Sequence, residues 1–153
     1  MATLEEALAA HDLVGLDTSV FIYHLEAHAR YEPLTSRVLY GVQSGEREAV
    51  VSVVALMELT VHPWRQDKPL VARHYETVLL HFPNLQLVDV NREIARRAAQ
   101  LRASYQVRPA DALHVATALV KGATAYVTND RLLTRLNPLL TIVLLDDFVE
   151  GVG

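Results

Sequence analysis

Four acids stand where chemistry is possible: Asp17, Glu58, Asp111 and Asp130. Asp17 directly follows the apolar run Leu13 to Leu16, and Asp130 follows the apolar run Ala125 to Thr128 by way of Asn129. Asp111 lies just inside a helix that Pro109 opens, and Glu58 lies on a helix that follows a third apolar run. Each has a plainer reading. Asp17 before Thr18-Ser19 is a helix cap, as is Asp130 before Arg131. Asp111 suits the positive end of a helix dipole, and Glu58 suits a solvated face. The shared location favours chemistry, because three of the four fall at strand ends or helix starts on one side of a sheet. Their neighbours are also apolar: VGL before Asp17, ALM before Glu58 and ALHVATAL after Asp111. Carboxylates crowded together with little water repel one another and resist ionisation. A divalent cation removes that penalty, and magnesium suits an oxygen-only site because it accepts a few carboxylates, keeps several waters and coordinates phosphate.

The elements that must position these acids alternate between strand and helix. Thr3 and Glu6 form a capping-box pattern that opens a short N-terminal helix. Strands are expected at Leu13–Leu16, Ala49–Val54, Leu85–Val90, Ala125–Thr128 and Thr141–Leu145. Helices are expected from about Ser19, over Pro33–Gln43, from Ser52 through Glu58 to a stop at Pro63, from Pro69 to before Pro83, over Asn91–Tyr105, from Pro109 to Gly122, and over Arg131–Leu136. Apolar strands joined by helices imply right-handed crossovers and a parallel sheet covered on both faces. The class is therefore a three-layer α/β/α sandwich with a mainly parallel five-stranded sheet. Such sheets bind ligands beyond the carboxyl ends of their strands, where the strand order reverses. If strands one and four are neighbours there, Asp17 and Asp130 share one crevice.

Composition narrows the function classes. The 153 residues suit one domain, with 1–11 as an N-terminal helical extension, and 51% hydrophobic with 21% charged residues is ordinary for a globular protein. There is no cysteine, which excludes disulfides and thiolate zinc sites. The first residues, MATLEEALAAHD, carry acids where a signal peptide has basic and apolar residues, and no apolar run approaches the roughly 18 residues of a membrane span. A cytoplasmic location without membrane contact is the expectation. The net charge of −4 argues against a passive binder of nucleic acid, but not against an enzyme that sets metal between its acids and phosphate. The basic residues are almost all arginine, which suits bidentate contact with phosphate or carboxylate.

Other patterns fail on their spacing. His24-Leu25-Glu26-Ala27-His28 lacks the Glu directly after the first His that a zinc-protease helix needs. Asp17 lacks the second acid two residues on that a haloacid-dehalogenase phosphatase uses, and no glycine-rich phosphate loop is present. Arg92, Arg96 and Arg97 form a basic group on the long helix whose plain reading is a solvated face. His114, one turn after Asp111, could orient a carboxylate or touch substrate, and its plain reading is a hydrogen-bonded, half-buried histidine.

Taken in order, Asp17-Thr18-Ser19, Ser52 with Glu58, Arg108-Pro109-Ala110-Asp111-Ala112-Leu113-His114 and Tyr126-Val127-Thr128-Asn129-Asp130 resemble the successive motifs of PIN domains. Within that family the chain is most similar to the VapC-type toxins of bacterial toxin–antitoxin pairs, from about Leu13 to Val149. The resemblance implies a parallel sheet with strands one and four adjacent, metal-dependent cleavage of single-stranded or loop RNA, a homodimer and a small antitoxin partner. It implies magnesium, with manganese as substitute, and makes Asp17, Glu58, Asp111 and Asp130 both the catalytic and the metal-holding acids. Asp17 and Asp111 are then direct ligands, Asp130 binds a second ion or orients the water, and Glu58 ligates or acts through a water. Thr18 and Asn129 are expected to steady the carboxylates, with His114 and Arg108 beside them or on substrate. Some relatives carry a further acid just after the fourth motif; here Leu132 and Leu133 stand in that region, so one ion and two both remain open. Two other readings stay alongside: an RNA-processing nuclease without an antitoxin, and a metal-binding or signalling module that does not cleave.

Overall fold

The computed structural model describes residues 2–149. Its centre is a five-stranded sheet: β1 Leu13–Leu16, β2 Glu48–Ser52, β3 Leu85–Val88, β4 Ala125–Thr128 and β5 Thr141–Leu144. All four pairings are parallel, in the order β3-β2-β1-β4-β5. Strands one and four are neighbours, and the order reverses between them. The inner strand β4 is buried along its whole length, while the edge strand β3 exposes Gln86. Along β1, Val14 and Leu16 face one core while Leu13 packs toward the other; along β4, Ala125 and Val127 face the first core while Tyr126 faces the second. This period-two alternation makes the fold three-layered.

The first core lies under α1 Leu4–Ala9, α2 Thr18–Leu25, α3 Glu32–Gln43, α4 Val54–Arg65 and α5 Pro69–His81. The second lies under α6 Arg92–Tyr105, α7 Pro109–Val120 and a 3-10 helix, Arg131–Leu136. The Thr3–Glu6 capping box is formed in both directions, and Leu4 and Leu8 of α1 are buried in the first core. Asn91 caps α6 through a 2.9 Å bond from the Ile94 N–H. Pro109 occupies the first turn of α7, and Gly122, at φ 87°, takes the left-handed turn that follows.

The expected stop at Pro63 needs correction. Pro63 does not stop α4, which runs on to Arg65. A proline deletes one backbone N–H, and this one is so near the helix end that only a single bond is forgone. The Gln66 N–H to His62 carbonyl and the Lys68 N–H to Pro63 carbonyl bonds then close the end of the helix, while the ring itself is buried. The apolar face of α3 is turned inward. Leu34, Val38 and Leu39 are all buried in the first core. Among the described residues no helix is long and apolar enough to cross a membrane.

Candidate active site

The β1/β4 junction brings the first acid and its anchor together. Asp17 continues the β1 ladder with its N–H on the Val127 carbonyl at 3.0 Å. One register step beyond the Leu16–Val127 pair, its side chain lies on the same face as Thr128. The Thr128 hydroxyl donates to Asp17 Oδ2 at 2.7 Å and Ser19 donates to the same oxygen at 3.3 Å. Asp17 holds the N-cap position of α2 without making a side-chain cap bond, so capping does not explain its carboxylate. Burial raises its pKa above the ordinary carboxylate value, against the hydrogen bond from Thr128. A buried carboxylate under that strain gains from an added positive charge.

Thr128 serves a second acid. Its hydroxyl accepts the Asp130 N–H at 3.1 Å. Asp130 Oδ1 accepts the Leu132 N–H at 3.0 Å, so the cap at the start of the Arg131–Leu136 helix is real. The other oxygen is turned to Arg108, whose Nη2 lies 2.9 Å from Asp130 Oδ2 and whose Nε lies 3.0 Å from Asp111 Oδ2. Asp111, in the first turn of α7, thus meets Asp130 through a shared guanidinium, and Arg108 itself is exposed. Arginine's planar fork suits such a bridge between two carboxylates.

Glu58 reaches the site from α4. It accepts from His114 Nε2 at 2.5 Å and from the Thr18 hydroxyl at 2.9 Å. The His114 hydrogen bond, ahead of burial, holds the Glu58 carboxyl below its ordinary value. His114 is buried rather than half-buried, and its Nδ1 has no hydrogen-bond partner. The imidazole is therefore committed to one carboxylate.

Asn129 does not join the acids. Its Nδ2 donates to the Tyr23 hydroxyl at 3.3 Å and its Oδ1 accepts the Asp146 N–H at 2.9 Å. Strand alternation turns it to the opposite face from Thr128, where it ties Tyr23 to the start of the last 3-10 helix. Thr128 was the residue to name instead. The signal was available, since it shares Asp17's face by parity, but a threonine ending a strand reads first as a β-former.

Tyr126 is the second residue that sequence reasoning passed over. Its ring lies over Gly15, where a Cβ would stand 2.8 Å from Tyr126 Cδ1 and 2.6 Å from Ala118 Cβ. Its hydroxyl is buried and unpartnered. Burial first, then the negative charge of Asp17, Asp111 and Glu58, pushes its pKa well above the ordinary phenol value.

The donor set is oxygen-only and suits a hard divalent cation. As placed, however, no three Asp, Glu or His side chains among the described residues stand close enough to hold an ion. The reason is visible in the partners: Arg108 stands between Asp111 and Asp130, and His114 holds Glu58. A guanidinium already supplies the positive charge between Asp111 and Asp130 that a cation supplies elsewhere. The residues fit a cation provided Arg108 turns out toward solvent, which its exposure allows.

A family model described as the PIN domain matches residues 14–137. No curated protein matches the sequence significantly. Among solved structures, a toxin–antitoxin complex from Klebsiella pneumoniae matches with TM-score 0.64 and 17% identity, over 87% of this chain and 97% of that one. VapBC2 from Rickettsia felis, bound to a DNA fragment from its promoter, matches with TM-score 0.64 and 18% identity over 86% and 98%. DNA-bound VapBC from Salmonella typhimurium matches with TM-score 0.64 and 24% identity over 88% and 98%. At these identities the likeness is one of fold.

Proposed function

The chain belongs to the PIN-domain family, a family of nucleases, and from that premise we propose that it is a metal-dependent endoribonuclease. On this reading it cuts single-stranded or loop RNA by in-line hydrolysis and is the toxin of a toxin–antitoxin pair. One observation carries the proposal: Asp17 and Asp130 leave the carboxyl ends of adjacent strands at the point of reversal, and a single hydroxyl, Thr128, engages both. Ligand sites in parallel sheets belong at that point.

Magnesium, or manganese in its place, supplies a water of lowered pKa and neutralises charge on the phosphate. Asp17 and Asp111 hold it directly in this reading. Asp130 orients the water or serves a second ion. Glu58, braced by His114 and Thr18, takes part through a water or as a further ligand. Thr128 and Thr18 fix the carboxylates, since ligands held by hydrogen bonds keep their geometry. Arg108 leaves the acids for the RNA phosphate, a bidentate partner of the same shape.

The same reading takes 1–153 as one PIN domain with 1–11 as its helical extension, working as a cytoplasmic homodimer. Its partner is a small antitoxin, on the pattern of the similar toxin–antitoxin and VapBC complexes. The test is incubation of the protein with RNA and magnesium or manganese, beside Asp17→Asn. Metal-dependent cleavage lost in D17N is the expected result. Cleavage by D17N at the wild-type rate overturns the site. Metal binding without cleavage favours a non-catalytic module, and an adjacent gene with no small inhibitor product favours an RNA-processing enzyme.

A further inference from the structure

Tyr126 is 1% exposed, and its hydroxyl has no hydrogen-bond partner. A buried hydroxyl without a partner is destabilising, and phenylalanine would fill the same space without that cost. The fold also makes room for this ring. Gly15 pairs with Tyr126 across the β1/β4 ladder, and any side chain at 15 would collide with the Tyr126 ring and Ala118. Parity places Tyr126 on the face that carries Thr128 and Asp17. The Asp17 carboxylate stands within weak reach of this hydroxyl, short of a full hydrogen bond, with Asp111 and Glu58 as its other charged neighbours. A neutral phenol among carboxylates is a donor. Asp17 already takes one strong donor, Thr128, on Oδ2.

We propose that Tyr126 is a positioning residue, whose hydroxyl becomes the second fixed donor to Asp17 when that carboxylate carries a divalent cation. This rests on the reading of Asp17 as a metal ligand. A small turn of the carboxylate closes the remaining gap, so the hydrogen bond is made in the loaded site and not in the free one. The unpartnered hydroxyl is then a feature prepared for the ion. Removing such an outer hydrogen bond typically weakens metal binding about 10- to 100-fold.

The test compares wild type, Tyr126→Phe and Asp17→Asn by calorimetric titration with manganese, by the paramagnetic resonance of bound manganese, and by melting in EDTA. Y126F is expected to melt in EDTA at or above the wild-type temperature, to bind manganese about tenfold more weakly, and to alter the resonance of what remains bound. D17N is expected to lose the binding. Unchanged affinity in Y126F beside lost binding in D17N overturns the role of Tyr126 alone. A lower melting temperature of Y126F in EDTA also overturns it, since the hydroxyl then has a partner before metal arrives. Wild-type binding by D17N overturns the metal site itself and Tyr126 with it.

Discussion

Asp17 is held in a place that penalises its charge. Its folded pKa lies above the unfolded value, so its contribution to stability is present in acid and is lost as pH rises through the raised pKa. At neutral pH the ionised group therefore weakens the metal-free fold. Asp17→Asn is expected to melt at or above wild type in EDTA, and the gap should shrink as pH falls and the wild-type carboxyl protonates. Manganese should raise the wild-type melting temperature and leave D17N unmoved; a hundredfold excess over the dissociation constant stabilises by about 2.7 kcal/mol. Superimposable wild-type curves with and without manganese count against the site. Arg108 makes the complementary case. Two ion pairs, weakened by solvent around the exposed guanidinium, hold it on Asp111 and Asp130. Arg108→Gln removes that competitor, so manganese should bind a few-fold more tightly without RNA, while RNA cleavage falls. Equal affinity in a titration of both proteins means that the guanidinium does not stand in the ion's place.

The meeting of β1, β4 and α7 holds the site at the level of elements. Gly15 lets α7 and the Tyr126 ring lie flat on β1. Gly15→Ala sets a methyl group against Ala118 Cβ and Tyr126 Cδ1, neither of which is a flexible tip. Overpacking of this kind costs about 1–3 kcal/mol, or a fall of about 2–10 °C in melting temperature for a domain this size. Manganese affinity should fall with it, because the ring beside Asp17 is displaced; a G15A protein with wild-type melting and affinity contradicts this account of the junction. Asp17, Asp111 and Asp130 stood out as candidates in the sequence because each ends a strand or starts a helix, places that polar residues mark, whereas Glu58 lies within α4. Thr128 and Tyr126 did not stand out, because within a strand a threonine and a tyrosine look like packing. Only the parity with Asp17, set by the β1/β4 register, gives them another meaning. Pro63 misled for a different reason: a helix breaker says where a bond is lost, and not whether the flanking bonds suffice to continue. Asn129 misled because adjacent residues of a strand face opposite ways.

Seen whole, the molecule presents one apolar route to its acids. α5 exposes Val71 at the rim of this route. Between α2, α4 and α5 runs a groove of 230 Å³ lined by Ile22, Leu25, Leu59 and Tyr75, and Glu58 is among its walls. An apolar groove of this kind suits a partner's segment. An antitoxin segment laid along the groove would place its own chain beside the carboxylates. There an arginine or lysine finds what Arg108 already shows to be available: two carboxylates that accept a guanidinium. Such a segment needs no structure before it binds. Co-expression with the product of the adjacent gene should give a complex that does not cut RNA. Val71→Glu should weaken that complex while sparing cleavage by the free enzyme, since Val71 lines the groove from α5 and none of the acids lies on that helix. Replacing the partner's basic residues one at a time should find one whose loss restores cleavage, and manganese in excess should compete with it. If inhibition survives every such replacement and saturating manganese, the partner acts by covering the crevice, without a basic side chain among the acids.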